Sequence, residues 1–258
     1  MTHDDLSGGP WTAAALRRTA FLAGALYLLT FASSIPAVFV LAPVLDDVRY
    51  VLGPGADTQV IWGAVLDIIN PIACVGTAVV LYPVLKRQSQ TLALGFVASR
   101  LFEAAILMTG VLSLLAVVTL RQDAGSVGTD AGSLVTVAAG LVAVHDWAFL
   151  LGTGVAVPNA LLLGTLMYRS RLVPRVIPLL GLVGAPLLLL SNGLTMFGLN
   201  DQLSVLSVLA LPGIFFWELS LGVYLMVKGF RPSPITASLL AHPGAPTLAA
   251  TTAQAEAR

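Results

Sequence analysis

The chain reads as an all-α protein: a six-span transmembrane helix bundle with both termini in the cytoplasm. Three observations give that reading. Of its 258 residues, 57% are hydrophobic and 10% charged, with a mean hydropathy of +0.91. Ordinary globular domains carry roughly 25% charged residues. Apolar segments recur, each long enough to cross a hydrocarbon core of about 30 Å as a helix. Lysine and arginine fall on alternate connections between those segments, as the positive-inside rule requires. A soluble fold would need polar faces on its outer helices, and these segments hardly have them.

The first span, 19–42, follows Arg17 and Arg18. A secretory signal also opens with positive charge, but its apolar region is only about 7–15 residues. This run is longer and heads a chain of similar runs, so it reads as an uncleaved helix. The second span covers 60–82 and the third 91–119, with Lys86 and Arg87 between them. The fourth covers 144–168 and the fifth 176–198, separated by Arg169, Arg171 and Arg175. The sixth, 204–227, is followed by Lys228 and Arg231. The other connections hold Arg49 and Arg121 as their only cations, beside Asp46, Asp47, Asp57, Asp123, Asp130 and Asp201. The expected organisation is a tail over 1–18, a membrane domain over 19–229, and a disordered tail over 230–258 that is rich in Ala, Thr and Pro. The external loop 121–140, whose stretch QDAGSVGTDAGSL is small and polar, reads as a linker or a lid.

Several function classes drop out. Net charge is zero, and nothing interleaves basic with aromatic residues, so nucleic acid is not a partner. The single cysteine, Cys74, makes no intrachain disulfide and no cysteine-based metal site. No HExxH, GxSxG, Walker or dinucleotide pattern occurs. The sequence thus calls for no cofactor and no metal, and leans away from an enzyme. A serine–histidine pair would have to come from Ser191 and His145, without the glycine-rich serine setting.

The informative residues are the charges inside spans. Arg100 and Glu103 are three apart and share a helix face. Counting from Thr91, Arg100 lies about 14 Å deep at about 1.5 Å per residue. Glutamate has too short a stem to snorkel from there. An isolated charge at that depth costs several kcal/mol, so the pair must face the bundle interior. Glu218, in PGIFFWELSLG, lies at nearly the same depth counted from Lys228. A bridge from Arg100 to Glu218 is the simplest neutralisation, with Glu103 as a third member. A static staple and a ligand or proton site both remain open.

A second polar set is expected nearer the other membrane surface: Asp67, Asn70, His145 and Asp146. Asn70 shares the face of Asp67, and Pro71 lacks an N–H and frees the carbonyl of Asp67. One imidazole and two carboxylates can hold a divalent ion, but the spacing here is not a metal motif. Interfacial residues and the wall of a cavity are the other readings. Pro158-Asn159, mid-way along the fourth span, can expose carbonyls to a ligand. Tyr27, Trp62, Tyr82, Tyr168, Trp217 and Tyr224 include candidates for the aromatic belts at the membrane surfaces, Tyr82 and Tyr168 fitting best.

The segments RRTAFLAGALYLLTF, VLYPVLKRQSQTLALGFVASRLFEAAIL, GTLMYRSRLVPRVIPLLGLVG and WELSLGVYLMVKG carry a resemblance. From Arg17 to Gly229 the chain resembles DUF4386, a bacterial membrane family of unknown function. The resemblance implies a multi-pass protein of the bacterial plasma membrane and no particular activity. It maps the family's polar positions onto Arg100, Glu103, His145, Tyr168 to Ser170, Pro174, Arg175 and Glu218. Three functions stay open. One is a small-molecule or proton-coupled carrier built on Arg100, Glu103 and Glu218. The second is a non-catalytic partner or sensor subunit whose ion pairs are structural. The third is a membrane enzyme using the Asp67–His145–Asp146 set. The expected partners are the lipid bilayer, a small-molecule ligand and a second copy of the chain.

Overall fold

The structure is a computed structural model that describes residues 11–53, 55–124, 130–199 and 204–241. All regular structure among these is helical. Six long helices, α1 (Ala13–Leu45), α2 (Asp57–Leu85), α3 (Gln90–Asp123), α4 (Ala131–Ser170), α5 (Val176–Met196) and α6 (Val205–Val227), are followed by a short α7 (Pro234–Leu240). A 3₁₀ turn, Val48–Leu52, joins α1 to α2. The six long helices are apolar and long enough to cross a membrane. Their outward faces carry Phe39, Trp62, Ile72, Phe102, Val183 and Leu189, all exposed. A continuous apolar exterior of this kind suits lipid and would aggregate in water.

Each long helix packs chiefly on its sequence neighbours, and α6 closes the ring against α1. Glycines set the two tightest crossings. A Cβ on Gly24 would lie 2.5 Å from the Gly222 carbonyl oxygen, so α1 and α6 touch backbone to backbone. A Cβ on Gly213 would lie 2.7 Å from the Gly184 Cα, which fixes α5 on α6. Small residues at such crossings permit the close packing that replaces the hydrophobic drive inside a bilayer. Beyond the α1–α6 crossing, Phe31 and Phe215 meet edge to face at 5.1 Å.

The ring interior is filled in three layers. Toward the end that carries the basic loops, Phe96, Leu166, Met167, Trp217 and Leu221 form a buried apolar plug. Toward the other end, Leu41, Val44, Val51, Val60, Leu114 and Leu134 form a second one. Only α1 to α4 and the 3₁₀ turn supply the second plug. It is capped by Arg121, which donates to both carboxylate oxygens of Asp57 and to the Gly53 carbonyl. Tyr50 donates to the same carboxylate. Burial, and then this hydrogen bond, raise the Tyr50 phenol from its ordinary value of 10 to about 12.

Four details differ from the sequence reading. The fourth helix begins at Ala131, not near 144, so the last part of the expected linker 121–140 is helical. Asp130 caps it by accepting from the Ser133 N–H at 3.1 Å. Leu134, Ala138 and Val142, spaced by four, bury against the second plug. Gly132, Ser133, Thr136 and Gly140 are weak helix formers, and this burial offsets them. The first helix likewise starts inside the expected tail 1–18, at Ala13, where the Thr12 side chain accepts from the Ala15 N–H. Part of 230–258 is also ordered. The Ser233–Thr236 capping box starts α7, and Ile235 and Leu239 bury on the first plug. Residues 1–10, 54, 125–129, 200–203, with Asp201, and 242–258 lie outside the described residues. Finally, Tyr27 and Trp217 are buried at 1% exposure each and are not belt residues.

Candidate functional site

The middle layer is polar. On α3 the inward stripe runs Ala93, Phe96, Arg100, Glu103, Gly110, Leu114 and Val117, the three-and-four spacing of a core-facing helix. Arg100 and Glu103 therefore take core positions, at 3% and 6% exposure. Arg100 Nη1 donates to Glu103 Oε2 at 2.8 Å, and Nη2 donates to Glu218 Oε1 at 2.7 Å. The bridge expected from matched depth is thus present in the geometry. Nη2 also reaches the Tyr27 hydroxyl at 3.2 Å, and Nη1 the Cys74 sulfur at 3.5 Å. The guanidinium stands over the rings of Tyr27 and Phe96, at 5.4 and 5.7 Å. One arginine on α3 thereby ties α1, α2 and α6 together.

Glu103 has a second donor. Asn159 Nδ2, buried on α4 one residue after Pro158, donates to the same Oε2 at 2.8 Å. The helix runs on through Pro158, and the group that reaches the cluster from this point is the Asn159 side chain. Asn159, Tyr27 and Cys74 are the members that sequence reasoning missed. The proline beside Asn159 was the only signal, and it pointed at the backbone.

Beside the cluster lies a cavity of about 200 Å³. All six long helices line it. Its polar wall is Thr30, Ser34, Asn70, Cys74, Arg100, Glu103, Thr153 and Glu218, and its apolar wall includes Phe31, Phe149, Leu211 and Phe215. Glu218 is the accessible carboxylate, its side chain 18% exposed against 8% for Glu103. A smaller cavity of about 70 Å³ holds Asp67, Asn70 and His145. Ser34, Asn70, Leu107 and Phe149 line both cavities. The two polar sets expected separately therefore adjoin, with Asn70 as the shared residue. Gly110 leaves room for the ring of His145, whose Cδ2 would be 3.4 Å from an added Cβ.

Asp146 does not line either cavity. Its side chain is 58% exposed and meets His145 Nδ1 at 3.3 Å from the outer side. Consecutive residues on a helix point about 100° apart, so both could not face inward. Ser191 does not approach His145 either; its hydroxyl is 2.9 Å from that of Ser207. Among the described residues, no three His, Cys, Asp or Glu side chains stand together as a metal site.

No curated protein and no solved structure is detectably similar to the chain. A family model described as "Domain of unknown function (DUF4386)" matches residues 22–229, from early in α1 to the end of α6, and so spans the ring and every residue of the polar layer. The chain belongs to the DUF4386 family.

Proposed function

We propose that the protein is a carrier of the bacterial plasma membrane that binds a small organic cation in the central cavity and exchanges it for protons. The observation that supports this is the charge of the middle layer. One guanidinium is shared by two carboxylates, Glu103 and Glu218, beside a cavity of about 200 Å³. With both carboxylates ionised, the layer is one positive charge short. A proton or a ligand ammonium group can supply that charge, and the two then compete for it. Glu218 is the less buried member and takes this role, while Glu103 is held by both Arg100 and Asn159. Phe31, Phe149 and Phe215 line the cavity, and aromatic rings attract organic cations. The adjoining cavity adds Asp67 and the His145 imidazole, groups able to relay a proton. The apolar plug beyond Phe96 and Trp217 blocks passage toward the basic end, so turnover requires the helices to shift there. Both termini are assigned to the cytoplasm on the basic loops.

The test is cation-driven proton movement in proteoliposomes holding a pH-sensitive dye, with benzylammonium and tetraethylammonium gradients. A signal that falls at least tenfold in Glu218→Gln and slows in Asp67→Asn supports the carrier. A folded wild-type protein that neither binds these cations nor moves protons overturns it. That result favours the second reading, a partner or sensor subunit, for which the Arg100 contacts to α1, α2 and α6 serve as a staple.

A further inference from the structure

At the end of the ring that carries the basic loops, the α4–α5 connection and the segment after α6 form a surface cavity of about 420 Å³. Its walls are Arg171, Val173, Arg175, Arg231 and Pro232. We propose that Arg171, Arg175 and Arg231 form a site for a phosphate group at the membrane surface, carried by an anionic lipid headgroup or by a free phosphate.

Four observations build the site. The connections that meet at this end, KRQS, RLVPR and KGFRPS, contain no aspartate or glutamate. Among the described residues, the ion pairs are those of Arg100, Arg121 and His145, and none involves the three arginines. Second, the three are held in place from below. Leu172 and Val173 between Arg171 and Arg175 are fully buried, and the Arg231 N–H donates to the Leu172 carbonyl at 2.8 Å. Ile235 and Leu239 of α7 then anchor the chain just beyond Arg231.

Third, Arg171 is the only non-glycine residue with positive φ among those described, at 55°. This left-handed position ends α4, where glycine is the usual occupant. A strained arginine kept at a cap points to use of its side chain. Fourth, Arg175 is the N-cap of α5 and makes no side-chain cap bond. Its guanidinium instead stands over the Tyr168 ring at 4.9 Å. The Arg175 side chain is therefore fixed at this end of α5, where Pro178 has no N–H and the Ile177 N–H is already bonded to the Pro174 carbonyl, so the arginines themselves supply the attraction for an anion. Arginine suits a phosphate because its planar fork donates two parallel hydrogen bonds.

The assay is thermal unfolding of the full-length protein in a neutral detergent. One arm adds phosphatidylglycerol in mixed micelles, one adds inorganic phosphate, and phosphatidylcholine is the zwitterionic reference. The variants are Arg175→Gln, Arg231→Gln, Arg171→Gly and the control Arg87→Gln, an exposed cation on another loop. Arg171→Gly relieves the backbone strain, so the protein unfolds at a higher temperature without ligand while binding less. A loss of response in this variant therefore cannot be loss of fold. Each of the three changes is expected to weaken binding roughly fivefold, one interfacial cation each, while Arg87→Gln leaves it within twofold. Stabilisation by phosphatidylglycerol alone names the lipid as the source, and stabilisation by inorganic phosphate as well names a soluble one. A wild-type protein that responds to neither, or equal losses in Arg87→Gln and the three arginine variants, overturns the site.

Discussion

Removal of the central cation is the perturbation with the clearest sign. Arg100→Met deletes the bonds to Glu103 at 2.8 Å and Glu218 at 2.7 Å and leaves two carboxylates facing each other in the interior. Breaking a buried pair in this way costs about 3–5 kcal/mol. Glu218→Gln is milder. Arg100 keeps Glu103, the pair stays neutral, and about one charge-assisted bond is lost, roughly 1.5–3 kcal/mol. Partial exposure of Glu218 puts its loss at the low end of that range. The double change Arg100→Met with Glu218→Gln does not restore stability, because it strands Glu103 with Asn159 as its remaining donor. A simple two-residue exchange, which matched depth alone would suggest, therefore fails. Adding Glu103→Gln removes the last charge, and the loss should fall to about 0.5–1.5 kcal/mol, the scale of neutral hydrogen bonds. Unfolding in mixed micelles titrated with sodium dodecyl sulfate, followed by helical circular dichroism, measures all four. A triple variant as unstable as Arg100→Met would refute the charge-layer reasoning.

Other expectations follow from the same geometry. Gly24→Ala should destabilise the bundle by about 1–3 kcal/mol in the same titration, since a Cβ there meets the backbone of α6 and no side chain can yield. Tyr50→Phe should change the alkaline behaviour. The raised phenol stabilises the folded protein below pH 10, and that contribution is lost as pH rises through about 12, so the variant should lack this part of the high-pH melting step. Paired cysteines at Asp67 and His145 should crosslink with a short reagent, because both line one cavity of about 70 Å³; a monodisperse double mutant that does not crosslink counts against that cavity. Cysteines at Gln88 and Arg171 should react from the side opposite to one at Asp130, and reaction of all three from one side would remove the six-span topology.

The helix count was legible because basic residues alternate between connections, and a missed span would have broken that alternation. The Arg100–Glu218 bridge was legible because the rise per residue converts sequence distance from Thr91 and Lys228 into depth. Depth does not say which way a residue points, however. His145 and Asp146 share a depth but not a direction, and only the packing of α4 on α3 decides which faces the cavity. Asn159, Tyr27 and Cys74 stayed hidden for a related reason. Each gains its meaning only from the partner across the ring, Glu103 for Asn159 and Arg100 for Tyr27 and Cys74. The early start of α4 was obscured because AGSLVTVAAG mixes glycine, serine and threonine, weak helix formers, with its apolar residues, and its helix is held by packing across the ring.

The placement of Arg100 and Glu103 on one helix also bears on how the chain enters the membrane. An arginine at the centre of an isolated span is unfavourable by about 2.5–3.5 kcal/mol on insertion scales. Here the counter-ion sits three residues away on the same helix and bonds to it directly. α3 therefore carries its own neutralisation and can leave the translocation machinery alone, before α4 supplies Asn159 or α6 supplies Glu218. The first five spans can be laid into lipid as an open arc. The last one to emerge brings Glu218 to a guanidinium already in position, and its Gly222 meets Gly24 of the first. Synthesis of the sixth helix is thus the event that creates the enclosed interior, and a chain cut short before it would be inserted yet have no lumen.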